Sequence, residues 1–254
     1  MSNALKDKVA IVTGGASGIG RAAAIAFARE GAAVVVADVA TDGGRQTVAT
    51  IREAGGEALF IECDVSRSDD VRGMVEGAVE IYGRIDCAFN NAGIEGVLCS
   101  ITELTEEQFD QVVRVNLKGI WLCMKHEIPH MVKQGKGAIV NMASISGVKG
   151  LRAMPVYSAT KHGIVGLTRS AALEFAPAGV RINAVGPGGI DTPLSDRVQH
   201  AVAPELFAAM VAAHPLGRLG TPEEVAEAAV WLCSDRASFV TGHIMMVDGG
   251  SAAQ

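Results

Sequence analysis

Aromatic residues are scarce in this chain: Phe, Tyr and Trp make up 4% of its 254 residues. That argues against an aromatic-rich binding face. Basic residues are few as well, with 22 Lys and Arg against 28 Asp and Glu, a formal net charge of −6. They are scattered, and no basic run occurs. A phosphate backbone rewards a concentrated positive patch, so nucleic acid is excluded as the main partner. The five cysteines (Cys63, Cys87, Cys99, Cys123 and Cys233) cannot all pair within one chain and lack CxxC spacing. They read as core thiols of a reducing compartment. There is no charge-free apolar run of about 18 residues, so no membrane span is expected. The opening MSNALKDKVAIVTGG enters a strand-like run with no apolar signal segment before it. A cytoplasmic protein without a membrane partner is the expectation.

Glycine, by contrast, is abundant at 30 residues, and 49% of the chain is apolar. Apolar β-branched runs at 9–13, 33–38, 58–64, 85–93, 137–144, 180–187 and 243–250 alternate with helical patterns. Helices are predicted over 18–31, 42–54 and 68–82, from near Thr105, in a second long stretch running to about 134, and over 155–176, with another opening at Thr221. Thr105-Glu106-Glu107-Gln108 reads as a capping box. Thr221-Pro222-Glu223-Glu224 combines a cap residue, a first-turn proline and a glutamate at the third position. Continuous apolar strands separated by helices imply an α/β fold whose parallel sheet is covered on both faces. No linker, repeat or low-complexity segment interrupts it, so residues 1–254 are read as one domain.

After the first strand the chain reads Thr13-Gly14-Gly15-Ala16-Ser17-Gly18-Ile19-Gly20. Glycines at 14, 18 and 20 allow a tight turn, close backbone approach and close packing of the next helix, whose free amides suit a pyrophosphate. Such a turn alone is a weak signal, but it stands between a strand and a helix. A Walker loop needs GxxxxGK[ST]; Arg21 follows Gly20 here, so ATP or GTP is not the expected ligand. Asp38 ends the second strand, where a carboxylate can accept hydrogen bonds from the ribose hydroxyls of a dinucleotide and repel a 2′-phosphate. Val39-Ala40-Thr41 supply no arginine to offset it, so NAD is predicted over NADP.

Further on, Tyr157 and Lys161 stand four apart on one helix face. Ser144 ends the fifth strand, where parallel sheets bind their ligands. Taken singly, Ser144 reads as a cap, Tyr157 as a packing residue and Lys161 as a solvated helix lysine. Together, after a dinucleotide turn, they describe proton chemistry. An ammonium near a phenol favours the phenolate, Tyr157 can then exchange a proton with an alcohol or carbonyl, and Ser144 can steady the same oxygen.

With those residues in view, the whole chain resembles the short-chain dehydrogenase/reductase family. The likeness rests on TGGASGIG at 13–20, Asp64-Val65, NNAG at 90–93, Asn116, Ser144, YSATK at 157–161 and PGGIDT at 187–192. It implies a single-domain, Rossmann-type, doubly wound parallel seven-stranded sheet with helices on both faces. It implies a dinucleotide held by Gly14, Ser17, Gly18, Ile19, Gly20 and Asp38, with Asp64 on the adenine amino group and Val65 packed nearby. Asn90, Ala92 and Gly93 would line the cofactor, Asn90 also steadying the central sheet. Pro187, Gly188, Ile190 and Thr192 would wrap the nicotinamide, and Tyr157 and Lys161 would touch the cofactor as well. Catalysis would fall to Asn116, Ser144, Tyr157 and Lys161, with Asn116 holding a proton-passing water. Gly189 stands where a larger residue is usual. The resemblance further implies a homotetramer pairing helices 108–134 and 155–176, with 243–254 a second interface.

His126-Glu127-Ile128-Pro129-His130 matches the zinc-protease pattern HExxH. Pro129 is expected to disrupt the helix that pattern requires, and no third ligand follows, so no metal is assigned. Residues 94–100, 145–156 and a lid at 189–215 are expected to surround a small-molecule alcohol or ketone. Their mixed composition leaves its identity open, and Arg152, a candidate for a substrate carboxylate, reads better as exposed. NAD-dependent interconversion of a secondary alcohol and a ketone is the expected activity. The alternatives are an NADP-dependent 3-oxoacyl thioester reductase and a non-catalytic dinucleotide-binding protein.

Overall fold

The computed structural model of the protein describes residues 3–193 and 204–253. Seven strands form one sheet: β1 (Val9–Thr13), β2 (Ala33–Asp38), β3 (Ala58–Glu62), β4 (Cys87–Asn90), β5 (Gly137–Met142), β6 (Val180–Pro187) and β7 (Ile244–Val247). Their order is β3-β2-β1-β4-β5-β6-β7, and every neighbouring pair is parallel. The chain builds outward from β1 to β3, returns to the centre, and builds the other way. A crevice opens where the direction reverses, between β1 and β4.

The helices are α1 (Gly18–Arg29), α2 (Thr41–Glu53), α3 (Ser68–Tyr82), α4 (Glu106–Val112), α5 (Gly119–Gln134), α6 (Pro155–Phe175), α7 (Pro204–Ala212) and α8 (Pro222–Cys233). Successive strand residues point to opposite faces, so each strand feeds two cores. Ala10, Val12, Val34 and Val36 pack with Phe27 of α1, Ile51 of α2 and Val225 of α8. Ile11, Val35 and Ala37 pack with Met74 of α3, Met131 of α5 and Ile164 of α6. Both faces are thus covered, as the unbroken apolar strands require. Each fully buried Ile, Phe or Met adds about 1.5–3 kcal/mol.

Both capping boxes form: Thr105 with Gln108 opens α4, and Thr221 with Glu224 opens α8 behind Pro222. The predicted strands overrun at their C-terminal ends. β3 stops at Glu62, β4 at Asn90, β5 at Met142 and β7 at Val247. The residues beyond leave the ladder, and several turn into the crevice.

Two helical expectations need correction. The stretch predicted as helix to residue 134 is interrupted by π-helical turns over Val113–Lys118. And α5 runs through Pro129 to Gln134 instead of breaking there. A proline removes one amide, and a helix anchored on both sides by buried residues (Leu122, Ile128 and Met131) tolerates that loss.

Candidate active site

The cleft at the C-terminal ends of the strands has a volume of about 710 Å³. Its floor begins at the glycine-rich turn. Gly14 has φ +68°, the left-handed region, and a Cβ there would lie 2.7 Å from Asn91 Nδ2 and 3.0 Å from Ala92 Cα. Only glycine fits. Ser17 is the extended N-cap of α1 but makes no side-chain cap bond, and the first turn carries no acidic residue. The α1 amides therefore face the cleft with no acidic side chain of their own first turn beside them, a setting that suits phosphate oxygens. Gly18, Ile19 and Gly20 line the same wall.

Asp38 lines the cleft at the end of β2. Its Oδ2 accepts from the Ala16 amide at 2.9 Å and its Oδ1 from the Ala40 amide at 2.9 Å. The carboxylate is thus fixed against the phosphate turn, with lone pairs left for further donors. Asp64 and Val65 follow β3 on the same side, Asp64 held by the Ser66 amide at 2.9 Å. This shape and donor set fit a dinucleotide.

After β4 the expected roles divide. Ala92 and Gly93 line the cleft, but Asn90 does not; its neighbour Asn91 does. Asn90 is wholly buried and donates to Glu127 Oε2 at 3.0 Å and to Asn141 Oδ1 at 3.2 Å, contacts that tie β4 to α5 and β5 inside the core. Asn141 in turn donates to Thr168 of α6 at 3.0 Å. Thr13 Oγ1 receives the amides of Asn91 and Ala92 at 3.0 and 3.1 Å, clamping this loop to β1.

Asn116 sits in the π-helical turns, 1% exposed. Its Oδ1 accepts from the Ile94 amide at 2.8 Å and its Nδ2 donates to the Ile94 carbonyl at 2.7 Å. The side chain is thus occupied as a clamp on the loop after β4.

Ser144, Tyr157 and Lys161 converge on the cleft. Pro155 starts α6, and Tyr157 and Lys161 lie one turn apart near that start. Lys161 is 4% exposed, donates to the Met142 carbonyl at 2.8 Å, and has Nζ 5.4 Å from the centre of the Tyr157 ring. Burial pulls its pKa down to about 7. Tyr157 is pushed up to about 12, by burial first; its hydrogen bond to Ser144 opposes the rise, and the charge of Glu95 adds to it. The expected lowering of the phenol by Lys161 is therefore not what this arrangement produces. An ammonium in an apolar wall is itself penalised, and one of its N–H groups is committed to the Met142 carbonyl.

Pro187 ends β6, and Gly188, Ile190 and Thr192 continue along the cleft. His214, which belongs to no motif in the sequence, organises this segment. Its Nε2 accepts from the Gly189 amide at 2.8 Å, and Nδ1 lies 3.0 Å from the Met210 carbonyl at the end of α7. A Cβ at Gly189 would lie 2.8 Å from Leu219 Cδ2 and 3.1 Å from His214 Cε1. The unusual glycine makes room for the imidazole. Of the anticipated lid, residues 194–203 lie outside those described, Leu194 and Ser195 among them; Phe207, Met210 and His214 line the cleft. Arg152 is exposed and away from the cleft, whereas Lys149, three residues earlier, lines it.

The HExxH pattern has a packing explanation. Glu127 points into the interior towards Asn90, and His126 Nε2 lies 3.2 Å from Ser68 Oγ. Among the described residues no group of three or more His, Cys, Asp or Glu is placed to hold a metal ion. Nor is any described helix long and apolar enough to cross a membrane.

A doubly wound sheet with a phosphate turn and a Ser-Tyr-Lys cluster in one crevice defines a dinucleotide-dependent oxidoreductase. The chain belongs to the short-chain dehydrogenase/reductase family. The profile of the family described as enoyl-(acyl carrier protein) reductase matches residues 14–252. The chain is 44% identical to cyclohexanol dehydrogenase of Acinetobacter sp. strain SE19, covering 98% of this chain and 96% of the relative. It is also 44% identical to cis-4-hydroxycyclohexanecarboxylate dehydrogenase of Sinomonas cyclohexanicum, over the full length of both. The crystal structure of levodione reductase superposes with a TM-score of 0.95 at 38% identity, covering 98% of this chain and 99% of that one. The protein is accordingly an oxidoreductase acting on alcohol- or ketone-like small molecules with an NAD or NADP cofactor.

Proposed function

We propose that the protein is an NAD-dependent dehydrogenase of alicyclic secondary alcohols, working in reverse on the corresponding ketones. The observation that carries this is the convergence of Ser144, Tyr157 and Lys161 on the cleft that also holds the glycine turn and Asp38. The names of two relatives, cyclohexanol dehydrogenase and cis-4-hydroxycyclohexanecarboxylate dehydrogenase, supply the ring.

Gly14, Ser17, Gly18, Ile19 and Gly20 would hold the dinucleotide's phosphates, Asp38 its ribose, and Asp64 and Val65 its adenine. Ala92, Gly93, Pro187, Gly188, Ile190 and Thr192 would flank the nicotinamide, which, when bound, supplies the site for hydride exchange. Asp38 favours NAD because its carboxylate would stand against a 2′-phosphate. Tyr157 gives its proton to the carbonyl oxygen in reduction and takes one from the hydroxyl in oxidation. Ser144 donates to the same oxygen as charge develops there. Lys161, with a pKa near neutrality, is suited to pass a proton towards the phenol. Asn116 acts from its main chain, since its amide is committed to Ile94.

The protein assembles as a homotetramer in the cytoplasm. Trp121 of α5 and Leu173 of α6 are exposed on helix faces, and Leu117, Gly163, Gly166 and Leu167 form a shallow apolar groove between them. A second protomer would cover such surface. The tail beyond β7 offers a second contact.

The test is NADH absorbance with cyclohexanol and other cyclic, acyclic and sugar alcohols, run beside Tyr157→Phe. Turnover of a cyclic alcohol by wild type and its loss in the variant support the reading. Equal turnover by both would remove Tyr157 from the chemistry.

A further inference from the structure

We propose that Lys149 and the main chain of Ser251 form a substrate-recognition subsite, and that the preferred substrate is an alicyclic alcohol bearing a carboxylate on the ring. This rests on the reading of the cleft as an alicyclic alcohol dehydrogenase.

The strand order places the subsite. Asp38 ends β2 and Asp64 follows β3 at one end of the sheet, while Ser144 follows β5 and Pro187 ends β6. Ser251 follows β7, one strand further out, and it lines the same cleft. A ring whose hydroxyl lies at Ser144 and Tyr157 therefore has its far side available to what comes after β7.

Lys149 reaches that place from the turn after β5. Its Nζ donates to the Ser251 carbonyl at 2.6 Å and lies 3.1 Å from Ser251 Oγ. Ser251 is held in turn: its amide donates to the Asp248 carbonyl at 3.0 Å, and Asp248 Oδ2 accepts from the Ala252 amide at 2.7 Å. The lysine is pinned to a folded tail rather than swinging in solvent. An ammonium has three donors, and these contacts use two. No carboxylate among the described residues pairs with Lys149 within 4.0 Å. A cation fixed in a largely apolar cleft without a counter-ion has one donor left for a ligand's anion.

The experiment compares cis-4-hydroxycyclohexanecarboxylate with cyclohexanol in wild type, Lys149→Met and Ser251→Ala, and titrates cyclohexanecarboxylate into each by calorimetry. We expect wild type to favour the carboxylate substrate. In Lys149→Met its KM should rise about 10- to 100-fold, as for one charged hydrogen bond lost, while kcat/KM for cyclohexanol stays within about twofold. Ser251→Ala keeps the charge and the carbonyl and should retain the preference. An equal fall for both substrates in Lys149→Met would make the lysine a tail anchor only and overturn the subsite. So would a wild type that does not favour the carboxylate. Should neither alcohol be oxidised, the reading of the reaction fails. Calorimetry then still decides the subsite: cyclohexanecarboxylate bound by wild type and not by Lys149→Met upholds it, and equal heats sink it.

Discussion

Glu127 offers the sharpest quantitative test of how the interior is built. It is wholly buried between α5 and the ends of β4 and β5, with one carboxylate oxygen accepting from Asn90 at 3.0 Å and the other without a partner. Burial raises its pKa to about 7 from 4.5, against the opposing Asn90 hydrogen bond. In the unfolded chain the group ionises near its ordinary value, so the native state binds more protons between the two. Stability is then undiminished below about pH 4.5 and is lost as pH climbs towards 7, the reverse of a salt-bridged carboxylate. A displacement of roughly 2.5 pH units at 1.36 kcal/mol each gives about 3 kcal/mol. Glu127→Gln keeps the shape and cannot ionise. Urea unfolding of both proteins, at matched protein concentration from pH 4.5 to 8.5, should show the variant gaining on wild type by about 3 kcal/mol across that window and levelling off above it. A difference that stays flat with pH would refute the reasoning, whichever protein proved the more stable.

The remaining predictions concern the cleft. Tyr157→Phe should lower kcat about 10²- to 10⁴-fold, as for loss of a general acid, while NADH binding measured by fluorescence stays within a few-fold of wild type. Because Tyr157 is pushed up to about 12, oxidation should speed up steadily from pH 7 to 10 while reduction does not; a bell centred below pH 8 for oxidation would contradict this. Asp38→Ser with Val39→Arg should shift the NADP to NAD ratio of kcat/KM upward by at least tenfold, as expected for exchanging a repelling charge for an attracting one. Gly189→Ala should cost about 1–3 kcal/mol, because its methyl group meets Leu219 and His214, and His214→Ala in the same chain should recover part of that in thermal unfolding.

Much of this was legible in the amino-acid sequence. The strand runs, both capping boxes and the glycine turn each have a local cause, and local causes survive into the fold. Tyr157, Lys161 and Ser144 could be grouped because helix period and strand ends fix where they point. Asn90 was misplaced although its signal was available. Cys87 and Phe89 belong to one face of β4 and Ala88 to the other, so parity sends Asn90 to the side of Ala88, beside its register partner Asn141. The π-helical turns at Val113–Lys118 had no such signal, for VRVNLK contains ordinary helix residues, and the bonds between Asn116 and Ile94 made within those turns join residues 22 apart in the chain. The pKa of Tyr157 was misjudged for a related reason. Spacing on a helix shows that two side chains are neighbours, but only packing shows whether a charge beside a phenol is itself welcome there.

The reversal of the sheet at β1 and β4 divides labour along the polypeptide. In the assignment proposed above, the residues given to the adenosine half lie before residue 67, and those given to the reacting carbon come after residue 86. Two largely separate stretches of gene thus encode which dinucleotide is taken and which alcohol is transformed. Either preference can drift under selection while the other is held, provided the seam between the two central strands stays closed.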